Sequence, residues 1–352
     1  MDRATVDVYE RAAQEWAAKR GPGNTERLDE FAGAIRPGAV VLDLGAGPGW
    51  HSARLPSPVI ASDAAVEMVR LVPEHAPAAW PLVADLEALP VRRGALGAVW
   101  CQKTYHHVPA ERLPLALWDL HRALEVGGIV DISVLGPVDD DPGAADFPGR
   151  HFSTWTPDAL ADVLHGAGFA VHEATFDKEW TRVRATRTRS LADTVGPDMR
   201  LLVVGLNPSE YSADRGVGFA RPGNRFWPAA LRAGIVTRER DGRHALLAHG
   251  VGMTDLVKRA TPRADALTAD EYRAGAARVD RLVTWLRPAA VCFVGLTGYR
   301  VAIDRHAAAG WQDLRVGGRP TYVMPNTSGV NGHASLDDLA EHLRTAIRSR
   351  PS

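Results

Sequence analysis

Two asparagine-bearing loops in the second half of the chain hold the residues best suited to chemistry: Gly205-Leu206-Asn207-Pro208-Ser209 and Pro325-Asn326-Thr327-Ser328-Gly329-Val330-Asn331. An Asn amide positions a water or a polar ligand by hydrogen bonds but is a poor proton acceptor. Each loop directly follows an apolar run, Leu201–Val204 and Thr321–Met324. Such runs, bounded by Gly or Pro, read as buried strands. Loops at the carboxyl ends of parallel strands converge on one crevice, so both are expected to face one pocket. The first half carries a different arrangement. Asp43-Leu44-Gly45-Ala46-Gly47-Pro48-Gly49 follows a strand-like run and leads into a helical pattern. Its glycines permit a tight turn and a close approach of ligand to backbone. Asp63 stands 20 residues after Asp43, at the end of the next strand-like run, where a carboxylate can accept both hydroxyls of a ribose. Asp85-Leu86 follows a third such run. Together these features point to a nucleotide-like cofactor.

Both halves alternate apolar runs with longer helical patterns, so both read as α/β. In the first half, strands are expected at Val40–Leu44, Val59–Ser62, Ala98–Cys101, Gly128–Val134 and Phe169–Glu173, with helices at Asp2–Lys19 and Thr156–Ala167. Asp139-Asp140-Asp141-Pro142-Gly143 reads as an exposed loop. The Arg- and Thr-rich stretch 183–196 is the linker candidate between a domain at 1–182 and another at 197–352. In the second domain, strands are expected at Leu201–Val204, Ala290–Val294 and Thr321–Met324. Thr268-Ala269-Asp270-Glu271 is a capping-box pattern opening a helix to about Trp285, and Ser335-Leu336-Asp337-Asp338 opens the last helix in a similar way.

A chain of 352 residues with 45% hydrophobic content has room for two globular domains. No signal peptide and no run long enough for a membrane span is read. Cys101 and Cys292 sit in apolar runs of different halves and suit reduced core residues, so a cytoplasmic protein is expected. Charge is uneven. Residues 1–196 hold 19 Lys+Arg against 27 Asp+Glu, a balance of −8, while residues 197–352 hold 22 against 15, a balance of +7. The basic half is open to two readings, a polyanion partner or solvated surface charge.

Over roughly residues 1–180 the chain resembles the class I S-adenosylmethionine-dependent methyltransferases. Asp43, Gly45, Gly47 and Gly49 match that family's acidic glycine loop, and the Asp-x-Gly start departs from a nicotinamide-type Gly-x-Gly loop. The resemblance implies S-adenosylmethionine as cofactor, with the loop around its methionine part, Asp63 on the ribose, and Asp85 with Leu86 at the adenine. The acceptor is not readable. The Asn-Pro-Pro-Tyr motif of nucleic-acid amino methyltransferases is not found after the fourth strand, where Gln102-Lys103-Thr104-Tyr105-His106-His107-Val108 stands. His106 or His107 could be a general base or a packing residue.

Over roughly residues 190–352 the chain resembles the mismatch-specific uracil-DNA glycosylases, the group that includes the thymine-DNA glycosylases. The resemblance rests on the two Asn loops, on Phe219-Ala220-Arg221-Pro222-Gly223-Asn224-Arg225-Phe226-Trp227, and on Gly252-Met253-Thr254-Asp255-Leu256-Val257. It implies that Asn207 orients the attacking water, Phe219 stacks on an extruded base and Ser328 bonds the flipped nucleotide. The Asn326–Asn331 loop would enter the gap, with Val330 as wedge and with Gly329 and Asn331 at the orphaned guanine. Arg221 and Arg225 would contact phosphates. His333 could touch a phosphate or cap the following helix. Ser209 and Thr327 stand where the family has Gly and Pro, which puts rate and base preference in question.

The expected whole is an α/β chain of two domains: a Rossmann-like methyltransferase sheet, then a glycosylase-like parallel sheet flanked by helices. The expected partners are duplex DNA with a G·U or G·T mismatch and an unknown methyl acceptor. No metal and no membrane is expected. Two alternatives remain: a glycosylase-like domain that only binds nucleic acid, or a small-molecule methyltransferase with a vestigial second domain.

Overall fold

Apolar runs that are buried on both faces form the central parallel strands of two separate sheets. In the computed structural model, which describes residues 1–23, 25–138, 146–329 and 334–348, the chain divides into two compact units. One is Met1–His165 with Phe169–Thr188; the other is Gly166–Gly168 with Arg189–Ser352. The expected loop at Asp139–Gly143 lies outside the described residues. Among those residues, no helix is long and apolar enough to cross a membrane.

The first unit is built from β1 (Val41–Leu44), β2 (Val59–Asp63), β3 (Trp80–Val83), β4 (Leu96–Gln102), β5 (Leu124–Leu135), β6 (Phe169–Asp177) and β7 (Trp180–Arg187), with α1 (Arg3–Lys19), α2 (Glu26–Gly33), α3 (Val66–His75), α4 (Leu113–Ala123) and α5 (Pro157–Gly166). The strand order is β3-β2-β1-β4-β5-β7-β6, parallel from β3 to β5, with β7 antiparallel to both of its neighbours. β1 is buried throughout, as a strand covered on both faces must be. Order reverses between β1 and β4, which opens a crevice at their carboxyl ends. Asp2 caps α1 through its side chain, accepting from Thr5 N.

The linker expectation needs correction. Residues 183–187 lie inside β7, where burial alternates strictly: Thr181, Val183, Ala185 and Arg187 face in. Polar composition hid a period of two. From Arg189 onward the chain is packed into the second unit. Asp193, buried, accepts from Lys258 Nζ (2.7 Å), Arg278 Nη1 (2.8 Å) and Thr254 Oγ1 (2.6 Å).

The second unit comprises β8 (Leu201–Gly205), β9 (Val251–Asp255), β10 (Val291–Val294), β11 (Gly310–Trp311) and β12 (Thr321–Met324), with α6 (Glu210–Arg215), α7 (Phe226–Ala233), α8 (Gly242–His249), α9 (Ala269–Leu286), α10 (Leu296–Ala302) and α11 (Leu336–Ile347). The order is β11-β12-β10-β8-β9; all pairs are parallel except β11–β12. The connection from β8 goes to one side and the later strands return on the other, so the carboxyl ends of β8 and β10 flank a crevice. Leu201, Val203, Phe226, Trp227, Cys292 and Met324 fill the core on one face. Capping boxes form at Thr268/Glu271 and Ser335/Asp338, where the spacing predicts them. Cys101 and Cys292 are both buried and free.

Burial alone would raise the Asp193 carboxyl, but Arg278 and Lys258 hold it below the usual carboxylate range. Removing it strands two buried cations. Asp193→Ala is therefore expected to destabilise the second unit by about 3–5 kcal/mol, read as a lower urea midpoint. An unchanged midpoint would show that the network contributes nothing to stability.

Candidate functional site

In the first unit, the loop after β1 takes its shape from three left-handed glycines, Gly45 (φ +74°), Gly47 (+54°) and Gly49 (+93°). A Cβ on Gly45 would lie 2.1 Å from Thr104 Oγ1, so no side chain fits there. Asp63, at the end of β2, turns its carboxylate into this loop. Oδ2 accepts from Gly47 N and Oδ1 from Ala65 N, each at 3.0 Å. Burial raises its pKa against these bonds. Each oxygen keeps a further lone pair for a ligand hydroxyl. Asp43 lies out of solvent and accepts from Ser52 Oγ at 2.6 Å; burial pushes it up to about 6. It therefore supports the loop from within. Asp85 accepts from Glu87 N at 2.9 Å and pairs with the Met1 amine, and its neighbour Leu86 is buried.

The general-base reading of the two histidines is not carried by their geometry. His107 Nδ1 faces the His151 carbonyl at 2.7 Å. A carbonyl only accepts, so Nδ1 carries the proton and Nε2 takes the Tyr9 hydroxyl at 3.0 Å. His106 Nδ1 accepts from Leu135 N at 3.1 Å. Both rings are buried, and burial pulls both pKa values down, His107 to about 4. They are structural.

In the second unit, the loop after β8 is clamped to the segment after β9. Leu256 N donates to Gly205 O (2.8 Å), Val257 N to Leu206 O (3.0 Å) and Thr261 N to Pro208 O (3.2 Å). Asn207 Nδ2 donates to Arg259 O (3.0 Å), Pro208 O (3.2 Å) and Thr261 Oγ1 (2.8 Å). Two of these acceptors are backbone carbonyls, which fixes the amide: nitrogen toward the protein, Oδ1 away from it. Among the described residues Oδ1 has no protein partner.

Phe219 is half-buried and has a left-handed backbone (φ +55°), which is strained for an aromatic residue. Its ring stacks on Phe226 at 4.2 Å, and Trp227 Nε1 holds the preceding Gly218 carbonyl at 2.8 Å. A Cβ on Gly205 would lie 3.4 Å from Phe219 Cζ and 2.4 Å from Asp255 Oδ1. Asp255 thus joins Phe219 around Gly205, a contact that sequence reasoning missed. Its carboxylate has no hydrogen-bond partner among the described residues. Burial pushes it up to about 6, with Asp193 adding and Lys258 and Arg278 opposing.

The second Asn loop is tied to the segment at 221–227. Thr327 is buried, and its Oγ1 donates to Asn224 Oδ1 (3.1 Å) while its carbonyl accepts from Arg225 N (2.9 Å). The Thr327 hydroxyl thus supplies a bond that the family's Pro lacks and ties the loop down. Ser209 turns its hydroxyl to Ser212 N and caps α6, so it does not intrude on the loop face. Arg225 also departs from its expected role. Its guanidinium donates to Ala334 O (2.6 Å) and Ser328 O (3.5 Å), so it braces the loop from inside. Arg221 is exposed. Asn326 Oδ1 accepts from Ser328 N at 2.8 Å. A Cβ on Gly329 would lie 2.7 Å from Gly223 O, so only glycine lets the two segments approach. Val330, Asn331 and His333 lie outside the described residues. The structure thus gathers Asn207 and Phe219 around the β8 end, and Thr327, Ser328 and Gly329 against the Gly223–Arg225 segment, with Asn326 beside Gly295.

Comparison with known families agrees with the two-unit architecture. Residues 41–128 match the Methyltransferase domain family and residues 192–348 the Uracil DNA glycosylase superfamily. Solved structures similar to this chain include a Haloferax volcanii complex of the Trm112 methyltransferase activator with a methyltransferase (15% identity, TM-score 0.44, covering 52% of this chain and 97% of that one). Others are a DhpI complex with S-adenosylhomocysteine (20%, TM-score 0.41, 53% and 96%) and the Burkholderia thailandensis 1,6-didemethyltoxoflavin-N1-methyltransferase (20%, TM-score 0.42, 53% and 88%). The chain carries a methyltransferase domain and, after it, a domain of the uracil DNA glycosylase superfamily.

Proposed function

We propose that the second domain hydrolyses the N-glycosidic bond of uracil or thymine mismatched with guanine in duplex DNA, and that the first transfers a methyl group from S-adenosylmethionine. The observation that carries the hydrolytic reading is the fixed amide of Asn207, with its nitrogen spent on Arg259 O and Thr261 Oγ1 and its oxygen left over. A water donating one hydrogen to Oδ1 keeps a lone pair for attack on the sugar C1′. An amide takes up protons poorly, so rate must come from positioning, from stabilising the departing pyrimidine with backbone N–H groups, and from easy extrusion of a mismatched base. Phe219, supported on one face by Phe226, offers a stacking surface for the extruded base. Asn326, Ser328 and Gly329 stand on the braced loop that would fill the gap, with Asn331 and Val330 following them in sequence. Exposed Arg221 and the excess of basic residues in the second half suit a phosphate backbone. Ser209 and Thr327, which depart from the family pattern, each serve the local structure, one as the cap of α6 and the other as a bond to Asn224.

For the first domain, the left-handed glycine loop held by the Asp63 carboxylate through Gly47 N fits a ribose-bearing cofactor. When bound, S-adenosylmethionine supplies an electrophilic methyl group. Asp63 would accept the ribose hydroxyls while holding Gly47 in place, and Asp85 with Leu86 would border the adenine.

Incubation with a duplex bearing one G·U mismatch, followed by hot alkali, is expected to give strand scission at the uracil. Asn207→Ala should slow it by roughly a hundredfold or more. Retained binding with no scission by the parent chain would overturn the hydrolytic reading. Asp63→Ala is expected to weaken S-adenosylhomocysteine binding by at least about tenfold, the worth of a charged hydrogen bond. Unchanged affinity by calorimetry would remove Asp63 from the cofactor site.

A further inference from the structure

The methyltransferase unit carries an unassigned feature beside its glycine loop: a continuous row of rings with two cations resting on it. Trp180, at the start of β7, lies 5.8 Å from His106, which stacks on Phe152 at 5.3 Å. Phe152 meets His107 at 4.8 Å, His107 meets Tyr9 at 5.5 Å, and Tyr9 meets Trp16 at 6.2 Å. Trp16 stacks on Trp50 at 5.4 Å and sits 3.6 Å from where a Gly47 side chain would begin. The row therefore runs from the carboxyl ends of β4 and β5 to the cofactor loop. Tyr9, Trp16, Trp50, Phe152 and Trp180 are only half-buried.

Lys103 places its ammonium 4.0 Å from the Trp180 ring centroid, and Arg150 its guanidinium 5.0 Å from that of Phe152. Lys103 is reached through a left-handed backbone (φ +57°), held by Ser133 through the Lys103 N–H. Such strain persists where the surroundings impose it, often at functional sites. Neighbouring cations are neutralised: Lys19 by Glu15, Arg20 by Asp146, Arg182 by Asp177. No carboxylate among the described residues lies within ion-pairing distance of Lys103 or Arg150. Arg150 is instead fixed by the Phe147 and Asp146 carbonyls and the Tyr9 hydroxyl. Glu179 on one side, and Arg20 and Arg182 on the other, are the further charges acting on Lys103, of opposite effect.

We propose that this ring row is the methyl-acceptor site and that it takes a planar aromatic molecule whose negative charge, on a ring oxygen or nitrogen, is met by Lys103 and Arg150. The proposal rests on the methyl-transfer reading. Stacking surface selects the plane, and two cations without a carboxylate at ion-pairing distance select the charge. An acceptor that arrives already ionised asks for no proton removal, which matches two histidines that are buried and bonded within the protein.

The test uses the full chain and three probes followed by ligand-observed NMR titration in mildly alkaline buffer: 4-nitrophenolate (planar, anionic), 4-nitroanisole (planar, neutral) and cyclohexanecarboxylate (anionic, not planar). The nitrophenolate is expected to bind about tenfold tighter than either comparator, the worth of one charged contact. Lys103→Met should erase its advantage over 4-nitroanisole, Lys103→Arg should keep it, and Trp180→Leu should weaken both planar probes together. S-adenosylhomocysteine binding, measured on each sample, reports that the fold is intact and separately tests the cofactor reading. Equal binding of 4-nitroanisole, or a preference that survives in both Lys103→Met and Arg150→Met, would overturn the proposal even if the cofactor binds.

Discussion

The second domain depends on one run of contacts: the loop after β8 hydrogen-bonded, residue by residue, to the segment after β9. Parallel pairing of β8 with β9 ends at Gly205 and Asp255, yet the two chains stay bonded as far as Pro208 and Thr261. This extension turns a flexible Asn side chain into a fixed one, because its amide nitrogen finds the Arg259 carbonyl and the Thr261 hydroxyl already in place. Position rather than acidity is then the resource of the site. The segment being clamped is in turn anchored from behind. Ser190 Oγ donates to Lys258 O, and Asp193 pairs with Lys258 Nζ. Ser190 and Asp193 thereby anchor the residue next to Arg259, whose carbonyl receives the Asn207 amide.

The same economy of fixed groups recurs in the first domain. Asp63 spends one oxygen on the glycine loop, through Gly47 N, and the other on the turn that follows β2, through Ala65 N, so a carboxylate able to receive a ribose also shapes the turns around it. Arg225 does likewise for the second Asn loop, bonding the Ser328 carbonyl within it and the Ala334 carbonyl beyond it. In each case a charged side chain that sequence reasoning assigns wholly to a ligand is partly or fully committed to the protein. A loop must be ordered before it can recognise anything, and ordering a polar loop requires partners for its backbone groups.

Much of the fold was legible because its strands are buried on both faces and read as apolar runs: β1, β8, β10 and β12 fall where the sequence predicts them. The capping boxes were legible for a local reason, the spacing of Thr268 from Glu271 and of Ser335 from Asp338. β7 was not, because Arg182, Arg184 and Arg187 mask an alternation that only Thr181, Val183 and Ala185 betray. At the sites, residues next to a glycine turn or an Asn-Pro pair could be named from sequence, but partners contributed by distant segments could not. Asp255, Thr261, Asn224 and Arg150 meet their neighbours across tens of residues, and nothing in their local sequence announces it. Ser209 and Thr327 show the converse: departures from a family pattern read as losses, and in place each makes a bond.

The most direct test of this account is the single-turnover rate of uracil release from a G·U duplex by the parent chain and by Thr261→Val, with duplex affinity measured alongside. If Asn207 acts through its imposed orientation, removing the hydroxyl that receives its amide should slow release by roughly ten- to a hundredfold while leaving duplex binding unchanged. Equal rates in parent and variant would contradict the claim that this clamp, rather than the mere presence of Asn207, makes the site hydrolytic.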